Sequence, residues 1–396
     1  MTGALRAKGT AWTSVDSVHD VDSVHSGSVA PFAIRRFALD GVRNLASAAL
    51  EFEPGINLIV GDNGQGKTSL LEAIYVACTT KSFRTARLRE VVAHANDGFT
   101  LRATISFGHA TLGPIEREHL AAYRSRALKV TIDGNAPTSL AQYAISAPVV
   151  VFHADELSLS SGPASSRRRL LDRVALYRSP LGAVSAGRYA KALKSRQELL
   201  RRGARDEELD VYEALLAKFG AELTRARAEA VDELTAPTQR SFQAIAAPDL
   251  GLSLAYEPGG SSHEAQCRSE LHARRERDAR SAAASFGPHR DDLALSFHGH
   301  PVARVASQGQ HRAITLALKA AESATIHSLT GLWPIQLLDD VSSELDPTRT
   351  EALFSELREA RGQVFITTTR ADLLQNALGP ENMKRFQVVA GVIANP

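Results

Sequence analysis

The sequence predicts an α/β protein with a mixed sheet that is interrupted by an inserted helical domain. Three observations lead to this prediction. Residues 56–78 form a buried strand, a glycine-rich loop and a helix in succession. Residues 167–280 are rich in Ala, Leu, Arg and Glu at helical spacing. After Phe286 strands and helices alternate again, which indicates a parallel sheet whose two halves flank the insertion.

The bulk composition limits the class of protein. The 396 residues suggest two domains, and 44% hydrophobic residues are typical of a globular core. The net charge of +2 does not identify a partner. The two cysteines, Cys78 and Cys267, are too far apart for a metal spacing and fit a reducing cytosol. No run of 18 apolar residues occurs, so we expect neither a transmembrane helix nor a membrane partner.

The chain divides into three predicted regions. Residues 1–31 contain an imperfect Asp-Ser-Val-His repeat and are expected to be a disordered N-terminal extension. Residues 32–160 and 285–396 are expected to form one lobe. Residues 161–284 are expected to form an inserted helical lobe that leads into a loop-helix segment at 306–312.

The elements of the first lobe follow from short apolar patterns. Two strands joined by a turn at Asp40-Gly41 are expected, followed by the buried strand 56–60. Ser69 begins a helix with one apolar face. The predicted elements are strands 32–39, 48–52, 56–60, 99–107, 111–115, 128–133 and 147–152 and the helix 69–78.

The rest of the chain is predicted from its helical spacing and from the prolines and loop residues that interrupt it. We expect Pro180, Pro237 and the loop 257–262 to cut the insertion into separate helices without strands. Asp346-Pro347 is typical of a helix start. The predicted C-terminal elements are helices 310–328 and 347–360 and strands 334–338, 364–367 and 385–393.

The glycine-rich loop predicts a phosphate-binding site of the P-loop kind. Its pattern Gly-x4-Gly-Lys-Thr lets backbone N–H groups turn inward around phosphates, because glycines leave no side chain in the way. Lys67 supplies positive charge, and the Thr68 hydroxyl is a candidate Mg²⁺ ligand. A purely structural turn would not need this strand, this helix and Lys-Thr together. We therefore expect ATP and Mg²⁺, with the nucleotide bound by Gly61, Asp62, Asn63, Gly64, Gln65, Gly66, Lys67, Thr68 and Ser69.

Two acids follow a second buried strand. The run 335–338 is apolar apart from Gln336, and Asp339 and Asp340 come directly after it. Parallel strands end at one edge of a sheet, so these acids are expected beside the P-loop. Asp339 is predicted to hold Mg²⁺ with Thr68. Asp340 is predicted to be catalytic with Lys67 by polarising the attacking water, although it could instead cap a loop.

Two further segments indicate the kind of P-loop protein. Ser307, Gln308, Gly309 and Gln310 precede a helix, and Ser343-Glu344-Leu345-Asp346 follows the acidic strand. Taken alone, Ser-Gln-Gly-Gln would most often be a helix cap. With the other motifs it resembles the signature and D-loop of ABC-type ATPases. That resemblance implies an ABC-type P-loop ATPase head, in which Ser307–Gln310 contact the γ-phosphate held by a second subunit and ATP joins a dimer.

The chain resembles the RecF family over residues 32 to about 370. The resemblance rests on motifs in a fixed order, of which the segment 285–293 is the most specific. The motifs are Arg43-Asn44-Leu45, Asn63-Gly64-Gln65-Gly66-Lys67-Thr68, Leu71-Glu72-Ala73-Ile74-Tyr75, Lys81-Ser82-Phe83-Arg84-Thr85, Arg167-Arg168-Arg169-Leu170-Leu171-Asp172, Ser285-Phe286-Gly287-Pro288-His289-Arg290-Asp291-Asp292-Leu293, Ala306-Ser307-Gln308-Gly309-Gln310 and Leu338-Asp339-Asp340-Val341-Ser342-Ser343-Glu344-Leu345-Asp346.

This resemblance implies a cytoplasmic, nucleoid-associated protein of recombinational repair. Such a protein binds single-stranded DNA and gap junctions as an ATP-dependent dimer and acts with RecO and RecR to load RecA. It also implies slow ATP hydrolysis that is linked to release from DNA. Thr367-Thr368-Thr369 stand where many ABC-type ATPases carry a histidine. A threonine cannot carry positive charge, which is in keeping with slow turnover.

Several charged residues leave alternatives open. Arg43 is predicted either to pack on the nucleotide base or to be an exposed loop arginine. His289 and Arg290 are expected to form ion pairs with Asp291 and Asp292 rather than to act in catalysis. Residues 167–205 hold twelve basic and two acidic side chains, a net charge of +10. That density predicts a DNA phosphate footprint, with a solvated helical face as the alternative.

Two other functions also fit a P-loop. The energy subunit of a membrane transporter would need a coupling surface but no basic helical insertion, and DNA-stimulated ATPase activity separates it from a DNA-binding switch. A nucleotide-gated scaffold that does not hydrolyse ATP would bind ATP and release no phosphate.

Overall fold

The computed structural model describes residues 31–109, 113–153, 156, 159–245, 250–281, 283–340, 362–371 and 383–394. The strands are β1 (Ala33–Asp40), β2 (Ala48–Glu51), β3 (Ile56–Val60), β4 (Gly98–His109), β5 (Gly113–Arg124), β6 (Ala127–Ile132), β7 (Val149–Phe152), β8 (Leu252–Glu257), β9 (Asp292–Phe297), β10 (His300–Pro301), β11 (Ile335–Asp339), β12 (Val364–Thr368), β13 (Met383–Val389) and β14 (Val392–Ala394). The helices are α1 (Lys67–Thr79), α2 (Leu140–Ile145), α3 (Ala164–Arg178), α4 (Pro180–Arg201), α5 (Asp206–Ile245), α6 (Glu264–Ala273), α7 (Arg275–Ser281), α8 (Val302–Val305) and α9 (Gln308–Thr330).

A six-stranded sheet carries the predicted site. Its order is β14-β13-β3-β12-β11-β7, and every pair is parallel except β13 with β14. The central strands β3 and β12 are buried along nearly their whole length and mostly apolar, because both faces of the sheet are covered. Thr368 pairs with Val60 and Thr367 pairs with Asp339, so β3, β11 and β12 end at the same level. The loops that follow these strands therefore meet at one edge.

A second sheet is antiparallel and has the order β2-β1-β4-β5-β6. The helix α1 lies between the two sheets, and its buried side chains share one apolar cluster with β1, β4 and β12. The predicted strands of this lobe are confirmed. The predicted strand 111–115 overlaps β5 only from Gly113, where β5 begins, and β5 continues well beyond it to Arg124. Residues 111 and 112 lie outside the described residues.

The insertion contains one helix where the sequence predicted an interruption. α5 runs unbroken for 40 residues with Pro237 inside it, so the predicted break there is wrong. Pro237 has no N–H, which leaves the carbonyl of Glu233 without its bond in the helix. The Thr325 hydroxyl of α9 donates to that carbonyl at 3.4 Å. A partner from another helix therefore satisfies the group that proline leaves open.

The insertion also contains a strand, contrary to the prediction. β8 pairs antiparallel with β9, and Leu252, Leu254 and Tyr256 turn toward the apolar cluster while the residues between them are more exposed. The alternation of buried and exposed residues in β8 is only 6 residues long and lies between two helices. The helical pattern on both sides therefore hid it in the sequence. The same cluster contains Leu58 of β3 and Leu338 of β11. The helices thus pack directly on the sheet, and the domain boundaries at 161 and 284 stay a prediction.

The C-terminal strand is also corrected. Instead of one strand over 385–393, β13 and β14 form a hairpin whose turn is Ala390-Gly391. Both turn residues have positive φ, 48° and 82°, as a two-residue hairpin turn requires. The other C-terminal strands and the helix predicted at 310–328 are confirmed within β11, β12 and α9. The predicted N-terminal extension, the segment Ser343–Asp346 and the helix 347–360 lie outside the described residues, except for Pro31.

Candidate ATP-binding site

The P-loop joins β3 to α1 in a conformation that needs glycine. Gly64 has a φ of 78° and Gly66 a φ of 118°, both in the region that side chains disfavour. A Cβ on Gly66 would lie 2.7 Å from the Leu45 side chain. Among the described residues, no side chain caps the start of α1 and its first turn holds no acid. The free N–H groups and the helix dipole at this end therefore favour an anion.

Lys67 lies at the centre of the loop. Its Nζ donates to the carbonyl oxygens of Gly61 at 2.7 Å and Asp62 at 2.9 Å. Burial lowers the pKa of Lys67, while the nearby charges of Asp340, Asp339 and Asp62 act in the opposite direction. A buried ammonium at the start of this helix is suited to bind phosphate oxygens, and that role of Lys67 stays a prediction.

Three side chains bring oxygen atoms together beside Lys67. The Thr68 hydroxyl donates to Asp339 Oδ1 at 2.9 Å, and the Thr367 hydroxyl donates to the same oxygen at 2.8 Å. Hydroxyl and carboxylate oxygens are the ligands that Mg²⁺ prefers. The donor set predicted from sequence, Thr68 and Asp339, is thus assembled and fits this ion. In the part of the chain described, no group of three or more His, Cys, Asp or Glu forms another metal cluster.

Asp340 occupies the position next to this oxygen set. Its backbone has a φ of 50°, a left-handed conformation that is costly for a residue with a Cβ. Its N–H donates to the Thr367 hydroxyl at 2.9 Å. Thr367 therefore fixes both acids, which the sequence did not reveal. Such local strain commonly marks functional sites, and the catalytic role of Asp340 stays a prediction.

Asn44 lies in the turn of the hairpin formed by β1 and β2, here called the first hairpin, and bonds to the P-loop. Its Nδ2 donates to the carbonyl of Gly64 at 3.2 Å, and its Oδ1 accepts a bond from the Ser69 hydroxyl at 3.0 Å. The predicted nucleotide ligand Ser69 is thus oriented by a side chain of the first hairpin. Asn44 lies in the Arg43-Asn44-Leu45 motif, but its contact across 20 residues gave no separate signal in the sequence.

Arg43 is engaged by a buried carboxylate. Its Nε and Nη2 donate to the two oxygens of Glu72, each at 2.9 Å, and Glu72 is fully buried. These bonds raise the pKa of Arg43. Arg84 Nη1 and the Ser82 hydroxyl also donate to Glu72. Arg43 is half-buried and paired, so the alternative of an exposed loop arginine is wrong, and contact of Arg43 with a nucleotide base stays a prediction.

The predicted signature segment forms the start of α9. Ser307 and Gln310 make a reciprocal capping box, in which the Ser307 hydroxyl accepts from Gln310 N at 3.3 Å and Gln310 Oε1 accepts from Ser307 N at 2.7 Å. Ser307 and Gln308 are exposed, and Gly309 is half-buried. The segment is thus both a helix cap and an accessible helix start.

Comparison with known proteins decides the family. A family model described as the RecF/RecN/SMC N terminal domain matches residues 33–393. The DNA replication and repair protein RecF of Anaeromyxobacter sp. (strain Fw109-5) is 36% identical over 369 residues, which cover 91% of this chain and 98% of that protein. The protein of the same name from Geobacter metallireducens is 35% identical over 368 residues, 91% of this chain and 99% of that protein.

This chain belongs to the RecF family. Solved structures of the recombination mediator protein RecF in the RecFOR pathway are similar to it. RecF-ATPrS has a TM-score of 0.82 at 26% identity, over 92% of this chain and 98% of that chain. RecF-ATP has a TM-score of 0.82 at 25% identity, over 94% of this chain and 100% of that chain. The SMC head bound to ScpA, with a TM-score of 0.52 at 15% identity, supports the fold alone. The predicted ABC-type ATPase head is confirmed.

A buried ion network in this RecF-family chain joins α9, which begins with the predicted signature segment, to the six-stranded sheet. Lys319 Nζ lies 2.8 Å from Glu156 Oε2 and 2.5 Å from Glu322 Oε2. Arg173 of α3 lies 2.5 Å from Glu322 Oε1 and 3.2 Å from Glu156 Oε1. Glu156 follows β7 closely in sequence, so the network connects α9, α3 and the sheet. The sequence signal for it is a Lys and a Glu three residues apart among the buried residues of α9.

Half of the basic residues in the predicted DNA footprint, residues 167–205, are paired with carboxylates in the described part of this RecF-family chain, and the footprint stays a prediction. Six of its twelve basic residues form ion pairs with carboxylates, and five of those six partners lie outside the window. The charge count within 167–205 therefore overstated the free positive charge. The pairs are Arg167–Asp292, Arg173–Glu322, Arg178–Glu229, Arg196–Glu213, Arg201–Glu198 and Arg202–Glu208.

The motif at residues 285–293 has a structural role with different partners from those predicted. Asp291 is fully buried and accepts bonds from Arg227 of α5, the Tyr256 hydroxyl and Gly259 N. His289 contacts the Tyr189 hydroxyl and the carbonyl of Ala284 instead of a carboxylate. The predicted pairing of His289 and Arg290 with the two aspartates is therefore wrong. Arg167 of α3 pairs with Asp292 instead, and Arg227 of α5 pairs with Asp291.

None of the helices in the described part of the chain is long and apolar enough to cross a membrane.

Proposed function

We propose that this RecF-family chain is an ATP-dependent DNA-binding protein of recombinational repair. The observation that supports it most is the convergence of Thr68, Asp339 and Thr367 at the P-loop, with hydrogen bonds of 2.9 and 2.8 Å to one carboxylate oxygen. The chain covers nearly the whole length of relatives named DNA replication and repair protein RecF. The combination points to a nucleotide switch on DNA.

ATP and Mg²⁺ are the proposed cofactors. The N–H groups of the P-loop and Lys67 bind the phosphates, and Thr68 with Asp339 holds the metal. When bound, Mg²⁺ neutralises phosphate charge and fixes the phosphate geometry. Asp340 orients and polarises the attacking water, and Thr367 keeps both acids in place. Hydrolysis is slow because the Thr367–Thr369 segment offers hydroxyls and no positive charge.

The active form is proposed to be an ATP-dependent homodimer. Ser307 is exposed at the start of a 23-residue helix, so it is accessible to the γ-phosphate bound by a second protomer. The dimer binds single-stranded DNA and gapped duplexes in the cytoplasm, at the nucleoid. It acts with RecO and RecR to load RecA, and hydrolysis releases it. The helical region 161–284 is proposed as the lobe that contributes DNA and dimer contacts.

The experiment that tests this function measures binding of gapped, single-stranded and duplex DNA with and without ATP. We expect ATP to strengthen binding to gapped DNA and DNA to stimulate phosphate release. Asp340→Asn keeps the size of the side chain and loses its charge, so it should bind ATP and remain on DNA as an ATP-bound dimer. ATP-independent DNA binding, or parental turnover by Asp340→Asn, would contradict the proposal.

A further inference from the structure

The turn between β13 and β14 lies against the outer side of the P-loop. Gly391 N donates to the carbonyl of Gln65 at 3.0 Å, and Ala390 N donates to the Gln65 side-chain oxygen. On its other side, the carbonyl of Gly391 accepts a bond from Ala46 N at 2.9 Å. This C-terminal turn therefore contacts the phosphate loop, which is 325 residues away in sequence, and also the hairpin formed by β1 and β2.

These bonds orient the backbone of the loop. The Gln65 carbonyl and the Gly66 N–H belong to one planar trans peptide, so they point in opposite directions. Because Gly391 N donates to the Gln65 carbonyl, that carbonyl faces the turn, and the Gly66 N–H points away from the turn. Asn44 donates to the carbonyl of the preceding peptide, Gly64 O, at 3.2 Å, and the N–H of that peptide, from Gln65, lies 3.4 Å from Asp62 O on the inside of the loop. Inward N–H groups are what a phosphate cradle requires.

The contact at Gly391 leaves no space for a side chain. A Cβ there would lie 1.9 Å from the carbonyl oxygen of Asn44. Because Asn44 also bonds Gly64 and Ser69, displacing Asn44 would displace the loop. The turn His298-Gly299 between β9 and β10 has nearly the same φ angles, 47° and 83°. A Cβ on Gly299 would meet nothing within 4 Å, so this turn is a matched control.

We propose that the Ala390-Gly391 turn is a positioning element of the ATP site, so that ATP affinity depends on the C-terminal hairpin. Gly391 and Ala390 touch the outer side of the loop and act on the nucleotide through Gln65 and Asn44. This inference rests on the proposed function, because it takes ATP as the ligand of the P-loop.

The test compares Gly391→Ala with Gly299→Ala. Both place a Cβ on a left-handed residue and share that backbone cost. Gly391→Ala adds the collision with the Asn44 carbonyl, so it should also lose more thermal stability without nucleotide than Gly299→Ala. We expect ATP affinity, measured by calorimetry on the full chain, to fall by about tenfold or more in Gly391→Ala, because a shift of about 1 Å in a site is that costly. Gly299→Ala should bind ATP within about twofold of the parent, since nothing adjoins that position.

A second variant keeps the proposal testable if Gly391→Ala does not fold. Gln65→Met has similar size and removes the acceptor for Ala390 N, so it should weaken ATP binding while the melting temperature stays near the parent's. In a double-mutant cycle the two losses should be less than additive, because they act on one contact. A parent that binds no ATP overturns the proposed function. A parent that binds ATP while Gly391→Ala matches Gly299→Ala, or Gln65→Met matches the parent, overturns this inference alone.

Discussion

Individual side chains at the P-loop have two kinds of contact. Lys67 bonds to loop carbonyls, and Thr68 bonds to Asp339. These two side chains are the ones that a nucleotide and its metal would also engage. Asn44 and Thr367 bond to the loop or to the acids and hold them in place. The sequence motif identified the first kind, because the P-loop pattern is local. The second kind depends on strands that are distant in sequence, and no local pattern reports it.

Lys67→Ala should weaken ATP binding by roughly 10- to 100-fold, which is the loss expected for a charge-assisted hydrogen bond. Folding should change little, because the lysine bonds only to carbonyls of its own loop. Calorimetric titration with ATP measures the effect. Lys191→Ala on the exposed face of α4 is the control and should bind like the parent. Equal affinity in Lys67→Ala and Lys191→Ala would refute the assignment.

Thr367→Val should lower ATP turnover by about 10- to 100-fold, as is typical when the support of a metal or catalytic ligand is removed. The change keeps the shape of the side chain and deletes the hydroxyl that bonds Asp339 and receives the N–H of Asp340. Thr367→Ser keeps that hydroxyl and should retain most activity. Phosphate release under saturating ATP distinguishes them, and similar loss in both variants would show that the methyl group matters instead.

His119 should make the protein less stable in acid. Its ring is buried on β5, and burial lowers its pKa to about 4, although Asp133 acts in the opposite direction. In the unfolded chain the imidazole titrates near 6.5, so between these values only the unfolded state binds the proton. The free energy of unfolding should therefore fall as the pH drops from about 6.5 to 4, by up to about 3 kcal/mol.

Urea unfolding at about pH 7 and about pH 5 measures that loss. His119→Gln removes the titrating group, so its stability should change less between the two conditions than the parent's. The exposed His300→Gln on β10 is the matched control and should follow the parent. If His119→Gln and the parent lose equal stability, another group causes the acid sensitivity.

At the scale of elements, apolar periodicity predicted the bounds of the central strands to within a few residues. β3 was predicted at its observed bounds, because a short β-branched run buried on both faces is unambiguous. Pro237 misled the prediction of α5, because the compensating hydroxyl comes from Thr325 on another helix. The strand β8 was missed because only β9, some 40 residues later, gives it a partner. Both failures concern tertiary contacts.

Thr325→Val should cost about 1 kcal/mol of unfolding free energy, because it leaves the Glu233 carbonyl without a donor. In a Pro237→Ala background the residue at 237 regains its N–H and can bond Glu233 within α5. The same substitution at Thr325 should then cost clearly less. Urea unfolding of the four proteins in a double-mutant cycle measures the coupling. Equal costs in both backgrounds would show that the hydroxyl does not compensate for the proline.

At the scale of the whole molecule, charge is organised in buried contacts between elements. One buried network of two cations and two carboxylates joins α3, α9 and the segment after β7, and its charges sum to zero. Its members are Arg173, Lys319, Glu156 and Glu322. Removing any one member of this network would leave a buried charge without its partner, which is strongly destabilising. The network therefore ties α9, whose N-cap is Ser307, to the sheet that carries Asp339. Counting charges along the sequence could not identify these partners.

Ser307→Arg should test whether the signature segment acts on the nucleotide of a second protomer. The variant keeps its own P-loop, so ATP binding should survive. A bulky cation at the exposed start of α9 should block the facing protomer, so ATP-induced dimerisation and hydrolysis should fail. Light scattering and phosphate release measure these effects. A normal ATP dimer of this variant would contradict the role of Ser307.

Mixing Ser307→Arg with Lys67→Ala distinguishes action between protomers from action within one. In a two-fold dimer each ATP site would combine the P-loop of one protomer with the signature of the other. A mixed dimer then has one site in which both residues are changed and one site in which both are intact. Two inactive proteins should therefore recover hydrolysis when mixed equally, up to about half of the parental level, since each mixed dimer has one intact site out of two. If Ser307 instead serves the P-loop of its own chain, every site in the mixture carries one defect, and no activity returns.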